Sequence, residues 1–299
     1  MKSWLRRHGL RHSADNETAL IALIEKLLDK GDLTLEGLKS AVREIEEYGG
    51  KRVYLKQILD ASVISDRRKF EKHLQELAIP LSLEKGDSIR TPSKPRLNYA
   101  IWSDEEVRVK FTETHTHVKF DKRTRKHEER AVTKFIVMSA EPQTGFLRIY
   151  MDPPGDEHPH ENDRGVYTDV AYRDHYFSRA EEIFGELDDF KLAQAAERLL
   201  QADPPIYEPL LDSGWTPDNF KYTIAGRSDV RLAELYKSGS NERPGLPDLV
   251  RGHWIQRMSG NQLERDLYMF IRAAESRIQF KADCLAVEVD YAISRIRTI

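Results

Sequence analysis

The sequence of 299 residues is poor in the features that cross-link a secreted protein or anchor a membrane protein. Its single cysteine, Cys284, has no second cysteine with which to form an internal disulfide. No apolar run reaches the roughly 18 residues that a transmembrane helix needs. The charged residues 1–8 are not followed by the apolar core of a signal peptide. We therefore expect a soluble protein of a reducing compartment, the cytoplasm, without membrane contact.

Familiar catalytic signatures are missing as well. The sequence has no G-x-S-x-G, P-loop or G-x-G-x-x-G pattern, so it lacks the common nucleophile and phosphate-loop motifs. Residues 188–191 carry the acids and the lysine of a nuclease motif but fall in a stretch predicted to be helical. Cys284 lies on an apolar periodic segment and is expected to be a small buried residue. The sequence therefore leans toward a protein without enzymatic activity and without a cofactor.

Charge is abundant and unevenly placed along the chain. The 47 Lys and Arg and 50 Asp and Glu residues give a net charge of -3, and a hydrophobic content of 39% excludes a fully disordered chain. Residues 1–150 hold 29 basic and 23 acidic side chains, whereas residues 151–299 hold 18 and 27. The near-neutral total thus conceals a basic front half and an acidic back half, which suggests a different partner for each half.

Residues 1–91 are predicted to form a small helical module. Four segments with a helical period or a capping residue begin near Ser13 or Asp15, at Thr34, at residue 51 and at Ser65-Asp66. Residues 79–91 then carry the pattern of a short hairpin. Helices followed by a hairpin are typical of winged helix-turn-helix DNA-binding modules, and a plain helical bundle with a loop is the alternative.

Residues 97–151 are predicted to form an antiparallel β domain. Val107, Val109 and Phe111 alternate with polar residues, as in a half-buried strand. Val118 and Phe120 have the opposite parity, which predicts a bulge or turn near residues 113–116. A hairpin is predicted from two strands, residues 131–138 and 146–151, joined by the turn at residues 141–145.

Residues 152–177 are predicted to be an acidic loop, and residues 178–299 a helical region. The region starts at a capping box on Ser178, has a second helix start at Thr216, and ends in a long helix from Gln262 onward. Residues 285–291 also alternate, so a strand remains an alternative there. The loop contains four aromatic residues that either become ordered on a partner or pin it to its own protein, namely Tyr167, Tyr172, Tyr176 and Phe177. The predicted fold class is therefore α+β, with N-terminal helices, a central antiparallel β-sheet and C-terminal helices.

Basic side chains form two clusters that suit phosphate binding. One cluster lies on the predicted fourth helix and contains Arg67, Arg68, Lys69 and Lys72. The other lies at a predicted hairpin tip and contains Lys119, Lys122, Arg123, Arg125, Lys126 and Arg130. Lysines and arginines on a surface that follows a nucleic-acid backbone supply most of non-specific affinity, which makes these residues the candidate nucleic-acid interface. A solvated charged surface is the alternative interpretation, since Glu128 and Glu129 dilute the second cluster.

Four histidines are candidate metal ligands. His115 and His117 share one side of an extended segment, and His158 and His160 lie among carboxylates. Imidazoles and carboxylates together suit a zinc- or manganese-class ion. Neither spacing matches a known metal signature, so solvated histidines are the alternative and no metal is predicted.

These observations lead to three hypotheses of different classes. The first is a non-enzymatic component of a larger complex that binds nucleic acid through its basic front half and protein through its acidic helical back half. The second is a purely structural subunit that pairs with a copy or a partner through its C-terminal helices, for example in a prokaryotic defence or DNA-maintenance system. The third is a metal-dependent hydrolase or nuclease that uses the four histidines.

Overall fold

The computed structural model describes residues 1–81, 95–121, 126–153, 169–202, 205–215, 221–226, 229, 246–260, 262, 263, 265–280 and 284–298. The chain forms two compact units, of which unit 1 comprises Met1–Lys51 with Lys191–Ile299 and unit 2 comprises Arg52–Phe190. The described residues form seven α-helices and eleven β-strands, and the strands pair in antiparallel fashion within each unit. The predicted α+β class, with N-terminal helices, antiparallel strands and a C-terminal helix, is confirmed.

Unit 2 is built on a sheet of antiparallel strands. These are β1 (Arg52–Ile58), β2 (Arg96–Trp102), β3 (Val107–Asp121), β4 (Lys126–Ala140), β5 (Phe146–Met151) and β6 (Leu187–Asp189). Their order is β2-β3-β4-β5-β1, and β6 also pairs with β1. Strands β3 and β4 pair without interruption from Val107 opposite Ala140 to Asp121 opposite Lys126.

Two helices of unit 2 cover one face of this sheet, α4 (Arg67–Glu76) and α5 (Asp169–Phe184). Phe70 and Leu74 of α4 are fully buried in one apolar cluster with Tyr176 of α5 and the alternate residues Val107, Val109 and Phe111 of β3. Because side chains alternate along a strand, the odd-numbered positions occupied by Val107, Val109 and Phe111 define the inward face of β3.

Unit 1 contains the remaining helices. They are α1 (Lys2–Arg7), α2 (Glu17–Asp29), α3 (Leu35–Tyr48), α6 (Leu192–Gln201) and α7 (Ala286–Thr298). An apolar cluster joins both ends of the chain, since Trp4, Leu5, Leu23 and Leu27 pack with Leu285. The Glu44 carboxylate accepts a hydrogen bond of 2.9 Å from the Ala286 backbone N–H, which fixes α3 to the start of α7.

The strands of unit 1 come from the C-terminal half of the chain. They are β7 (Tyr207–Trp215), β8 (Lys221–Ala225), β9 (Leu246–Trp254), β10 (Leu267–Arg272) and β11 (Arg277–Phe280), in the order β11-β10-β9-β7-β8. Trp254 is fully buried, stacks edge-on against Tyr207 with 5.4 Å between ring centroids, and points its indole nitrogen at the Met269 sulfur. Large aromatic residues therefore fill the core of this sheet.

Several local predictions are confirmed. Thr34 caps α3 by accepting a hydrogen bond from the Gly37 backbone N–H, and Asp66 caps α4. The predicted hairpin is formed by β4 and β5. Cys284 is buried, as expected. The cap of α2 is Asn16 rather than the predicted Ser13 or Asp15.

The predicted helix at residues 51–61 is wrong, because Arg52–Ile58 forms β1. Val53, Tyr54 and Leu55 are consecutive and all buried, since this strand is covered on both faces. A strand covered on both faces has no apolar alternation, so its pattern resembles that of a buried helix segment.

The predicted bulge near residues 113–116 is also wrong, because β3 continues in one register. The prediction assumed that apolar residues mark the same face along the whole strand. Instead, polar Glu113 takes the inward parity that Phe111 holds two residues earlier, and Glu113 is fully buried. Buried charge thus replaces apolar side chains along this face.

The predicted loop at residues 152–177 and the helix start at Ser178 both differ from the structure. Helix α5 begins at Asp169, so Ser178 lies within it. Tyr172, Tyr176, Ala180 and Ile183 are buried at helical spacing, which extends the apolar stripe upstream of Ser178. Tyr172 and Tyr176 therefore pack within their own unit, as the second interpretation of these aromatic residues expected.

The single long helix predicted from Gln262 is wrong. Residues 267–280 form the β10–β11 pair with a single 3-10 turn, Ala273–Glu275, between the strands, and the α-helix that the structure describes here is Ala286–Thr298. Leu267, Met269 and Ile271 are the buried residues of β10, and they recur at every second position, as in a strand. Some of the same residues also fit a helical period, which is why the segment was predicted to be a helix. Ser276, at φ +46°, breaks the segment in a left-handed conformation that favours a turn. The predicted hairpin at 79–91 and helix start at Thr216 fall mostly outside the described residues.

Candidate functional site

The first predicted cluster, on α4, is an exposed basic surface. Arg67, Arg68, Lys69 and Lys72 are all exposed, whereas Phe70 and Leu74 of the same helix are buried. We call these four cations the α4 basic surface. A helix anchored by its apolar stripe holds its outward side chains at fixed spacing.

Local sequence explains why α4 begins where it does. The Asp66 carboxylate accepts hydrogen bonds from the backbone N–H groups of Lys69 and Arg68, at 3.1 and 2.8 Å. These two bonds lower the pKa of Asp66, because they stabilise its charged form. Farther along α4, the ring Nε2 of His73 lies 2.9 Å from the Glu182 carbonyl oxygen of α5.

The second predicted cluster includes residues at the end of β3 and the beginning of β4. These strands belong to the same unit as α4. Lys119 pairs in the backbone register with Glu128, and Arg130 pairs with His117. Lys126 begins β4 opposite Asp121. Lys122, Arg123 and Arg125 fall outside the described residues, so the second cluster stays a prediction.

The four candidate metal ligands are not brought together by the described residues. His115 and His117 lie on β3, while His158 and His160 fall outside the described ranges. The Nε2 atom of His115 lies 2.8 Å from Oε1 of Glu113. Across the part of the chain that the structure describes, no group of three or more His, Cys, Asp or Glu side chains is arranged to hold a metal ion.

A buried polar cluster around Glu113 is a feature that sequence reasoning missed. Glu113 is fully buried and lies directly across the sheet from Lys134, which is also buried. The Lys134 ammonium donates to the Pro153 carbonyl at 3.0 Å, and Asp152 accepts from the Phe135 backbone N–H at 2.7 Å. In the sequence, this cluster is indicated by Glu113 and Lys134, two charged residues at inward-facing positions of adjacent strands.

Tyr172 of α5 faces the same cluster. Its ring lies edge-on to His115 with 5.9 Å between centroids. Burial, and then the negative charge of Glu113, raises the pKa of the Tyr172 hydroxyl well above its usual range. The hydroxyl thus stays protonated and can donate hydrogen bonds at any physiological pH.

A second polar cluster lies around Glu106, which directly precedes β3. Even-numbered residues such as Arg108 alternate along β3 with the core residues Val107, Val109 and Phe111. The Glu106 Oε1 accepts hydrogen bonds from the Arg108 guanidinium at 2.7 Å and the Ser139 hydroxyl at 2.5 Å. Arg148 donates to the same Ser139 hydroxyl at 3.1 Å. Burial by itself would raise the pKa of Glu106, but the charges of Arg108 and Arg148 and the two hydrogen bonds lower it overall.

The Glu106 cluster makes stability depend on acid pH. Because the pKa of Glu106 is lower in the folded than in the unfolded protein, its contribution is present above its ordinary value of 4.5 and is lost as the pH falls through the folded value. We expect the free energy of unfolding to fall more steeply between about pH 5 and pH 3 in the wild type than in Glu106→Gln. Urea unfolding at each pH measures this, and identical slopes for the two proteins would contradict the assignment.

An open cleft of about 420 Å³ lies at the end of α4, between α4 and α5. Its apolar walls are formed by Leu77, Ile79, Leu97, Phe111 and Tyr176. Polar side chains of α5 line its mouth, namely His175, Ser178, Arg179 and Glu182. Arg179 forms an ion pair with Glu182 and also lies over the Phe111 ring, 6.0 Å from its centroid. The cleft therefore combines apolar walls, behind which Phe111 and Tyr176 are buried, with hydrogen-bonding groups at its edge.

The two units do not reproduce the charge division between the halves of the chain. Unit 2 holds 23 basic and 26 acidic residues, because it joins residues 52–150 with the acidic residues 151–190. Unit 1 holds 24 of each sign. The basic surfaces are therefore local features rather than the property of a whole unit.

Two further findings concern membranes and known protein families. Within the described ranges, no helix combines the length and apolar character needed to cross a bilayer. The sequence matches no model of a known protein family and no curated protein.

Proposed function

We propose that this protein binds nucleic acid through the α4 basic surface and that the β3–β4 hairpin adds further phosphate contacts. The observation that carries the proposal is the exposure of all four cations on a helix that Phe70 and Leu74 anchor in the core. Phosphate contacts need cations that are accessible and held at a regular spacing, and both conditions are met here. The protein acts as a binding component without a catalytic step.

The near-zero net charge of unit 2 is compatible with this function. The interaction between exposed charges decays over about 8 Å at physiological salt, so a local cluster acts largely independently of distant acids. Two acids adjoin the cluster in sequence: Asp66 points its carboxylate at the backbone of α4, and the half-buried Glu71 lies between Lys69 and Lys72. Contacts of this kind give affinity without sequence readout, so we expect little preference among sequences.

Neutralising the α4 basic surface is expected to weaken binding strongly. The variant replaces Arg67, Arg68, Lys69 and Lys72 with glutamine, which preserves helix propensity and removes four charges. Two or more lost contacts of about 1 kcal/mol each correspond to a roughly 30-fold increase in Kd. Fluorescence anisotropy with a labelled DNA oligonucleotide at low salt measures the change.

A matched control removes the same charge elsewhere. Lys26, Lys30, Lys39 and Arg257 are exposed cations of unit 1, and their replacement by glutamine changes the net charge equally. We expect this control to bind within about threefold of the wild type, because long-range electrostatics is screened. Equal losses in both variants would show that only net charge matters and would overturn the α4 assignment.

Contact with a protein partner is the second part of the proposed function. Its support is an exposed acidic end of α5 and β6, where Glu181, Glu186 and Asp188 lie on the surface of unit 2. In the described part of the C-terminal segment, β10 and β11 stand where a long helix was predicted as the basis of self-pairing, and α7 buries Val289, Ala292 and Ile296 within the protein. We therefore favour a basic partner at the acidic end over pairing through the C-terminus. The material that co-purifies with the native protein, nucleic acid or a second chain, distinguishes the two partners.

A further inference from the structure

The sheet of unit 1 has one buried face and one half-buried face. Along β9, Val250, Gly252 and Trp254 are buried, whereas Arg251 and His253 between them are half-buried. The strand β10 repeats this alternation. Because successive side chains of a strand point to opposite faces, the half-buried residues share the second face and leave part of their surface accessible to solvent. We call this second face the half-buried face.

Aromatic rings lie side by side on the half-buried face. Tyr268 and Phe270 of β10 are both half-buried, and their ring centroids are 5.3 Å apart. Tyr268 pairs in the backbone register with His253, and the centroids of these two rings are 4.7 Å apart. Three partly accessible rings on two adjacent strands provide a surface on which other flat rings can stack.

Arginines adjoin these rings on the same face. The described strands place three of them there, namely Arg251, Arg272 and Arg277. Glu275 forms ion pairs with Arg272 and Arg277, and the acid Glu208 of β7 pairs in register with His253. Arg251 pairs directly with Phe270, so the register places this cation beside the rings. A guanidinium at this position suits a phosphate, which it can bind through two parallel hydrogen bonds.

We infer that the half-buried face of unit 1 binds a single-stranded nucleic acid, with bases stacked on Tyr268 and Phe270 and a phosphate on Arg251. The inference goes beyond the proposed function, because it concerns the other unit and does not require the α4 basic surface. A protein partner that covered the rings would also have to supply an anion for Arg251. Each nucleotide brings a flat ring and a phosphate together, so a single strand fits the face better.

The architecture of unit 1 suits this kind of binding. Helix α7 lies on the buried face, since its Tyr291 contacts the Trp254 ring with 5.7 Å between centroids. The strands β9 and β10 are central in the order β11-β10-β9-β7-β8, so a strand of nucleic acid can cross them. Antiparallel sheets with aromatic residues on the face opposite their helices are a general solution for stacking unpaired bases. Bases inside a duplex are already stacked on one another, so the face should prefer single strands.

The test compares a labelled oligothymidylate with an abasic strand of the same length, using the full chain. Both strands carry the same number of phosphates, so the ratio of their Kd values reports the bases. We expect the wild type to bind the oligothymidylate at least about fivefold more tightly, as stacking of one base predicts. Equal Kd values for the two strands would overturn the inference.

Substitutions on β10 then locate the effect. The double variant Tyr268→Leu, Phe270→Leu keeps apolar side chains on the sheet but removes both rings, so the two strands should bind alike. Tyr268→Phe is the matched control, because it keeps both rings and should retain the preference for bases. Thermal unfolding compares the fold of each variant with that of the wild type. A folded double variant that still prefers the oligothymidylate would contradict stacking on these residues.

Photocrosslinking of the wild type gives a second measurement that needs no substitution. A strand that contains bromodeoxyuridine should crosslink to the peptide that carries Tyr268 and Phe270. Crosslinks confined to other peptides would overturn the inference even where the double variant fails to fold.

The outcomes separate this inference from the proposed function. Replacing the four cations of the α4 basic surface with glutamine should weaken binding of both strands and leave the ratio of their Kd values unchanged. A base preference that persists while this α4 variant binds like the wild type would support the half-buried face and overturn the proposed function. Absence of binding to either strand, with a second protein chain co-purifying, would overturn both.

Discussion

Replacing Glu113 with alanine is expected to destabilise the protein by about 3 kcal/mol, because it removes the carboxylate beside the half-buried His115 and opposite the buried Lys134. Glu113 is fully buried, lies opposite Lys134 in the sheet, and has Oε1 2.8 Å from the His115 ring. Removing one member of a buried charged cluster costs more than its net contribution, since the others stay desolvated. Urea unfolding at neutral pH measures the difference.

An exposed acid of the same unit provides the control for Glu113. Glu105→Ala removes one carboxylate from the surface near the start of β3, and we expect a change within about 0.5 kcal/mol. A double-mutant cycle with His115→Leu should give a coupling energy between Glu113 and His115 of about 1 kcal/mol or more. If Glu113→Ala and Glu105→Ala had similar effects, the buried cluster would not contribute to stability as described.

Gly252→Ala is the substitution expected to damage unit 1 most. A Cβ atom at Gly252 would lie 2.1 Å from the Glu208 carbonyl oxygen and 2.8 Å from the Pro209 Cα atom. Both obstructing atoms belong to the backbone of β7, which pairs with β9 at this point, so no side-chain rotation relieves the clash. We expect a loss of about 3 kcal/mol or more, at the upper end of overpacking effects, measured by thermal and urea unfolding.

A second glycine separates the clash from the general cost of replacing glycine. Gly31 has φ +74° and no atom within 4 Å of an added Cβ, so Gly31→Ala carries only the backbone penalty of about 1 kcal/mol. Equal destabilisation by the two alanine variants would contradict the close approach of β7 and β9.

Local capping and regular alternation could be predicted because their causes lie within a few residues. Thr34 and Asp66 cap helices through bonds to backbone groups two or three residues away. The β4–β5 hairpin was predictable for the same reason, since its turn residues adjoin both strands. The strand β1 was not, because its burial on both faces depends on partners that are distant in sequence.

The candidate site was predictable only in part. The α4 basic surface followed from a capped helix with an apolar stripe, and the structure exposes all four of its cations. The cleft depends on Leu97 and Phe111 from strands, and on Tyr176 from a segment that sequence reasoning treated as a loop. Sites assembled from distant segments leave no local pattern, which is why neither the cleft nor the Glu113 cluster was anticipated.

The salt dependence of binding tests the central claim most directly. The slope of log Kd against log salt concentration counts the phosphates that the protein neutralises. We predict that replacing Arg67, Arg68, Lys69 and Lys72 with glutamine reduces this slope by about two to four, whereas the control at Lys26, Lys30, Lys39 and Arg257 leaves it unchanged. A slope that is the same in the wild type and the α4 variant would contradict nucleic-acid binding through this helix.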